Sequence, residues 1–225
     1  VCTYPGHGFL MYGAMYVGVS MPELATDQHV PELARQGKAA QKQFHAWGHK
    51  RPLMYRIFMP DASPAAIAVG LKHGQNYCWD AGQCRLRYAW YGGFVDPSPV
   101  WRGNGNGLAG VLGTKYWESE MPGTIRVGGG DSEPEFLGYK KVDGQPEFHF
   151  RVNDTDVYEL ITPLHSIIGI QRSFRIPNNT QPVSLPVGPT SRVAFEHSAG
   201  KLENNLLTLS AEEARAFTVF IGLIK

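Results

Sequence analysis

From Leu53 onward, apolar and polar residues alternate with a period of two, in short runs broken by turn chemistry. The segment 84–91 sets Leu86, Tyr88 and Trp90 against Arg85, Arg87 and Ala89. The segment 146–152 sets Phe148, Phe150 and Val152 against Glu147, His149 and Arg151. The pattern predicts strands over 53–59, 65–71, 75–80, 84–91, 94–96, 134–142, 146–152, 155–162, 166–176, 182–187, 191–196, 204–209 and 214–222. Turn residues stand at several joints: Ala81-Gly82 after Asp80, Asp143-Gly144 and Asn153-Asp154. Many short strands at this spacing predict an all-β chain folded as an antiparallel β-sandwich. No strand–helix–strand spacing points to a parallel sheet. The segment 97–131 has no period and is expected to be a long irregular loop draped over one face.

The pattern before Leu53 is different. Residues 28–47 carry an apolar stripe of Leu33, Ala40, Phe44 and Trp47, with Arg35, Lys38, Gln41 and Lys42 facing away. Pro31 falls in the first turn, where its missing N–H costs nothing, and Gly48 and Pro52 lie past the end. One N-terminal helix is predicted there. Residues 1–25 are apolar and glycine-punctuated without a period. Phe9, Leu10, Met11, Tyr12, Met15 and Tyr16 have little sequence-local cover and are expected to form a partner-docking arm, because large exposed apolar patches usually mark interfaces. The run from Phe9 to Met21 is too short to span a bilayer. The expected organisation is an arm plus helix over 1–51 and a sandwich domain over 52–225.

Composition narrows the classes. The chain has 26 glycines and 16 prolines in 225 residues, which excludes a long helical bundle. It is 43% hydrophobic and 12% aromatic, which excludes a disordered chain. A net charge of +1 disfavours a nucleic-acid binder that works by neutralising phosphates. The chain is long enough to bury roughly 70% of its unfolded surface.

Candidate chemistry is sparse. Cys78 and Cys84 bracket a turn-like segment, so a hairpin could bring them within disulfide distance, which implies an oxidising compartment. Cys2 invites a lipid anchor, although Val1 precedes it where an acylated cysteine would come first. Gly105-Asn106-Gly107-Leu108-Ala109-Gly110 matches a dinucleotide fingerprint in letters only, because Gly113 leaves no room for the helix that must follow. His45 and His49 lack a third ligand, and His7 between glycines reads as a loop residue, so no metal and no cofactor are expected. No nucleophilic serine motif occurs. A hydrolase would need two of Asp61, Asp80, Asp96 and Asp131 in one pocket. The densest cluster is Trp79, Asp80, Arg85, Arg87, Trp90, Tyr91 and Trp101, a candidate ligand face for sugar rings or a protein partner, with core packing as the plain reading of the tryptophans.

Some runs are distinctive: Arg56-Ile57-Phe58-Met59-Pro60-Asp61-Ala62-Ser63-Pro64, then Asn76-Tyr77-Cys78-Trp79-Asp80-Ala81-Gly82-Gln83-Cys84-Arg85-Leu86-Arg87-Tyr88-Ala89-Trp90, then Gly92-Gly93-Phe94-Val95-Asp96 and Trp101-Arg102-Gly103. With Phe136-Leu137-Gly138-Tyr139 and the closing Ala214–Val219 run, residues 52–222 resemble a β-sandwich module found beside c-type cytochrome domains in large secreted bacterial proteins. Residues 1–50 do not match that module, and the haem attachment motif is missing. The resemblance implies a non-enzymatic, periplasmic or extracellular accessory subunit. Its partners would be protein subunits of a membrane electron-transfer complex, respiratory or photosynthetic, including a c-type cytochrome. The alternative is a carbohydrate-binding module gripping sugars with Trp79, Trp90 and Trp101.

Overall fold

A computed structural model describes residues 17–20, 26, 28, 51–102, 107–119, 123–129, 133–189, 191 and 193–224. The chain divides into two compact units, Val1–Lys50 and Arg51–Lys225. The expected helix at 28–47, the docking arm at Phe9–Tyr16 and the Cys2 anchor lie outside the described residues, Gln28 apart.

The alternation read from the sequence becomes strands in the second unit. In chain order they are β1 (Leu53–Arg56), β2 (Ala66–Gly70), β3 (Gln75–Asp80), β4 (Arg85–Asp96), β5 (Gly110–Glu118), β6 (Arg126–Val127), β7 (Pro134–Val142), β8 (Gln145–Val152), β9 (Thr155–Pro163), β10 (Gly169–Arg175), β11 (Val183–Pro186), β12 (Val193–His197), β13 (Lys201–Glu203), β14 (Leu206–Leu209) and β15 (Ala216–Leu223). Among the described residues, one short helix, α1 (Ser98–Arg102), and two 3-10 turns interrupt them. The strands form a five-stranded sheet in order β1-β2-β3-β4-β5, a six-stranded sheet in order β12-β15-β10-β9-β8-β7, and a four-stranded sheet in order β13-β14-β11-β6. Their pairings are antiparallel.

One apolar layer joins all three sheets. Ile67, Val69, Tyr77 and Trp79 come from the five-stranded sheet, Phe148, Phe150, Ile161 and Val219 from the six-stranded, and Val183, Leu185, Leu207 and Leu209 from the four-stranded. At its centre the Trp79 indole stacks on Phe148, with centroids 4.0 Å apart and planes 2° apart. A second layer lies on the opposite face of the five-stranded sheet. There Ala66, Ala68, Cys78, Tyr88, Trp90 and Phe94 are covered by Ile57, Met59, Val100 and Ala109, which stand on connecting segments.

The predicted turns form as their residues dictate. Asp143 and Gly144 adopt φ of 50° and 82° between β7 and β8, and Asn153 adopts 53° between β8 and β9. Two expectations are corrected. The segment read as a long irregular loop contains β5, a nine-residue strand. Its glycines and threonine hid the alternation. Nor do Leu86, Tyr88 and Trp90 share one face. Cys78 pairs with Tyr88 while Trp79 pairs with Leu86, so Arg87 is an extra, bulged residue. The bulge sends Leu86 into the first layer and Tyr88 and Trp90 into the second.

Candidate functional site

The predicted cluster around Trp79 is inside the protein. Trp79 and Trp90 are both 0% exposed, on opposite faces of the sheet. Trp90 Nε1 donates to the Gly93 and Phe94 carbonyls at 2.9 and 3.2 Å. Trp79 Nε1 donates to Glu159 Oε2 at 3.0 Å, and the other Glu159 oxygen accepts from Arg172 Nε at 2.6 Å. Asp80 is fully buried and accepts from the Ser63 N–H at 2.7 Å, the Ser63 hydroxyl at 2.5 Å and the Gly82 N–H at 2.9 Å. Arg85 donates to Gln83 Oε1 at 2.8 Å. Arg87 donates to the Asp61 carbonyl at 2.5 Å and the Ser119 carbonyl at 3.4 Å, pinning two loops to the bulge. Trp101 is half-buried against the second layer. The sugar-gripping face expected of Trp79, Trp90 and Trp101 is therefore not formed: two of its three rings are core and its aspartate holds a turn.

The candidate carboxylates are accounted for in the same way. Asp96 accepts from the backbone N–H and hydroxyl of Ser98 at the start of α1. Asp61 is exposed and pairs with Lys115 at 3.2 Å. Asp131 lies outside the described residues. Gly110 opens β5 rather than a helix, so the glycine-rich segment is not followed by a phosphate-binding turn. Among the described residues, no three histidine, cysteine or acidic side chains lie close enough to hold a metal ion.

The expected Cys78–Cys84 disulfide is also corrected: both thiols are free and buried. The physical reason is that the two side chains enter different layers. Cys78, in β3, points into the second layer beside Tyr88, whereas Cys84, itself at φ 47° in the turn before β4, points into the first. Burial pushes both thiols up to about 12. Neither is a thiolate at neutral pH, so both are poor nucleophiles. Alkylation of the native protein at neutral pH is expected to leave Cys78 and Cys84 unlabelled. After denaturation without reductant both should label, as read by intact mass; protection that persists without reductant would overturn the free-thiol assignment.

Two surface features remain. The first is a seam between β4 and β5. Gly92 pairs with Gly113 there, and Gly92 adopts φ 118°, which only glycine takes readily. A Cβ on Gly93 would strike Leu112, and one on Gly113 would strike the Tyr91 carbonyl. The strands approach so closely that side chains are excluded, and Tyr91 and Leu112 beside them stand 44% and 53% exposed.

The second is the outer face of the six-stranded sheet. Register places His149 opposite Tyr158 and Tyr158 opposite Arg175. The imidazole stacks on the phenol at 4.4 Å and 12°, and the Arg175 guanidinium carbon lies 4.0 Å from the phenol centroid. Charged neighbours brace both ends of this row. Asp156 accepts from His149 at 3.1 Å and from Arg151 at 3.2 Å, and the His149 bond holds its carboxyl below the usual range. Glu147 takes Lys140 at 2.9 Å and Arg175 at 3.4 Å. Beside the row runs an open depression of about 410 Å³, lined by the apolar Leu160, Phe174, Ala216 and Phe217 together with Glu147, Arg175, Ser173, Ser198 and Thr218. The sequence showed Glu147, His149 and Arg151 facing outward from β8; their partners on β9 and β10 required the cross-strand register.

No protein-family model, curated protein or solved structure matches the chain. Among the described residues, no helix is long and apolar enough to cross a membrane.

Proposed function

We propose that the chain is a non-enzymatic extracytoplasmic accessory subunit that docks onto a cytochrome-containing electron-transfer complex at a membrane. The observation that carries the docking half of this reading is the Tyr91–Leu112 seam. A rigid, glycine-clamped backbone presents an aromatic and an aliphatic side chain, 44% and 53% exposed, without the entropic cost of ordering a loop. The redox partner and the compartment rest on the resemblance of residues 52–222 to modules beside c-type cytochrome domains. The Phe9–Tyr16 arm is the proposed second contact.

Extraction of the protein from its native membrane in mild detergent, followed by size separation with haem absorbance, tests this. Co-migration with a haem-bearing complex is the expected result, and recovery only as a free, haem-free monomer would overturn the proposal. Tyr91→Ala should weaken that association by about 2 kcal/mol, the scale of an aromatic interface anchor.

A further inference from the structure

We infer that the chain pairs with a second copy of itself along β5, joining two five-stranded sheets edge to edge across a two-fold axis. The inference concerns the free chain and does not rest on the docking proposal. Pairing covers Leu112, so docking at the seam requires the two copies to part.

β5 presents an open row of backbone groups. It ends the five-stranded sheet, and among the described residues it pairs with β4 alone. Outside that ladder, the backbone bonds nearest to it lie just beyond its ends, from the Ala109 N–H to the Phe58 carbonyl and from the Ser119 N–H to the Arg87 carbonyl. Between them, the outer side of Gly110–Glu118 has no backbone partner among the described residues. Unpaired N–H and C=O groups in such a row are a template for another extended chain.

The other sheet edges carry features that block pairing. β7 opens on Pro134, presents Glu135, Lys140 and Lys141, and breaks register between Phe136 and Gly138. β12 ends on Glu196 and His197. β1, β6 and β13 have only four, two and three residues. β5 has nine, and its run Gly110-Val111-Leu112-Gly113-Thr114 holds no charge and no proline. Lys115, the next residue, is folded back over β4: its Nζ meets Asp61 and Glu118 at 3.2 Å each and lies 4.1 Å from the Tyr88 ring centroid.

The same uncharged run on a second copy complements this edge. Val111 packs on the second layer, and by alternation Leu112 and Thr114 take the opposite face. Antiparallel pairing about an axis through Leu112 keeps each residue on its own face across the joint. It sets Leu112 against its own copy, Val111 opposite Gly113 and Gly110 opposite Thr114. Two leucines, each 53% exposed in the single chain, then cover one another, and no like charges stand opposite.

Sedimentation equilibrium of the full chain, from micromolar to near-millimolar concentration, tests the assignment. The mass should rise from one chain to two. Hydrogen–deuterium exchange over residues 110–115 should slow as the dimer fills. Leu112→Lys places two ammonium groups together at the axis and should weaken the dimer at least tenfold. If that variant loses its circular dichroism signature, the exchange measurement on the unaltered chain carries the test. A single-chain mass at every concentration would overturn the inference. So would a dimer equally tight in folded Leu112→Lys, or one in which exchange over 110–115 is unchanged, since the copies then meet through another surface.

Discussion

Replacing Arg172 with leucine is expected to lower the unfolding free energy of the Arg51–Lys225 unit by about 3–5 kcal/mol. The Arg172 and Glu159 side chains are 4% and 1% exposed, and they meet at 2.6 Å inside the apolar layer that joins the three sheets. Each charge is tolerated there only because the other is present. Removing the guanidinium leaves a carboxylate in the core with a single indole N–H for company. Urea denaturation at neutral pH measures the loss, and a cost below ~1 kcal/mol would mean that the pair is not desolvated as its burial implies. Leucine at both positions provides the complementary result. Buried ion pairs are often replaced by apolar residues with little net cost, so Glu159→Leu combined with Arg172→Leu should recover most of the stability.

Trp79→Ala should cost a similar amount, about 3–5 kcal/mol. The indole stacks on Phe148, lies tilted against Phe136 at 5.4 Å and Phe150 at 5.9 Å, and donates the N–H that Glu159 needs. Trp79→Phe separates the two roles, because it keeps most of the ring burial and loses the donor. Its expected cost is about 1–3 kcal/mol, the penalty of leaving one buried acceptor unsatisfied. The effects of Trp79→Ala and Arg172→Leu should not add, since both act on Glu159. A Trp79→Ala cost under ~2 kcal/mol in urea would contradict the packing described for this layer.

The strand pattern was legible because most strands bury one face, and one-sided burial writes a period of two into the chain. β8 shows this most cleanly: its buried and outward residues alternate along its whole length. β5 was not legible. Gly113 and Thr114 stand where the strand presses against Gly92 and Tyr91, and Gly110 stands opposite Asp96, so close approach and a polar partner erased the signal that burial would have left. The bulge at Arg87 defeated the reading in a different way. It reverses which face each later residue takes, and no single-strand pattern announces such a reversal. That one residue explains why Trp79 and Trp90, read as one surface, are divided between two interior layers. The candidate site fared worse than the fold for the same reason. Trp79 and Asp80 drew attention by their chemistry, but an aromatic or carboxylate can serve packing or a turn as readily as a ligand. The His149–Tyr158–Arg175 row is assembled from three strands, and its coherence exists only once their register is known.

The two apolar layers of the five-stranded sheet are closed in different ways. The first is sealed by other sheets, whose ladders of hydrogen bonds rupture together. Over the second lie segments tied down by isolated bonds, such as Ala109 N–H to the Phe58 carbonyl at 2.8 Å and the Tyr88 hydroxyl to the Pro60 carbonyl at 3.0 Å. Such a cover can lift without the sheets parting, and local openings of this kind need less free energy than global unfolding. Amide protons beneath it should therefore exchange with solvent sooner than those between the sheets. The two buried indoles become internal clocks of different depth: Trp90 senses the opening of the cover, and Trp79 senses only the loss of the whole fold.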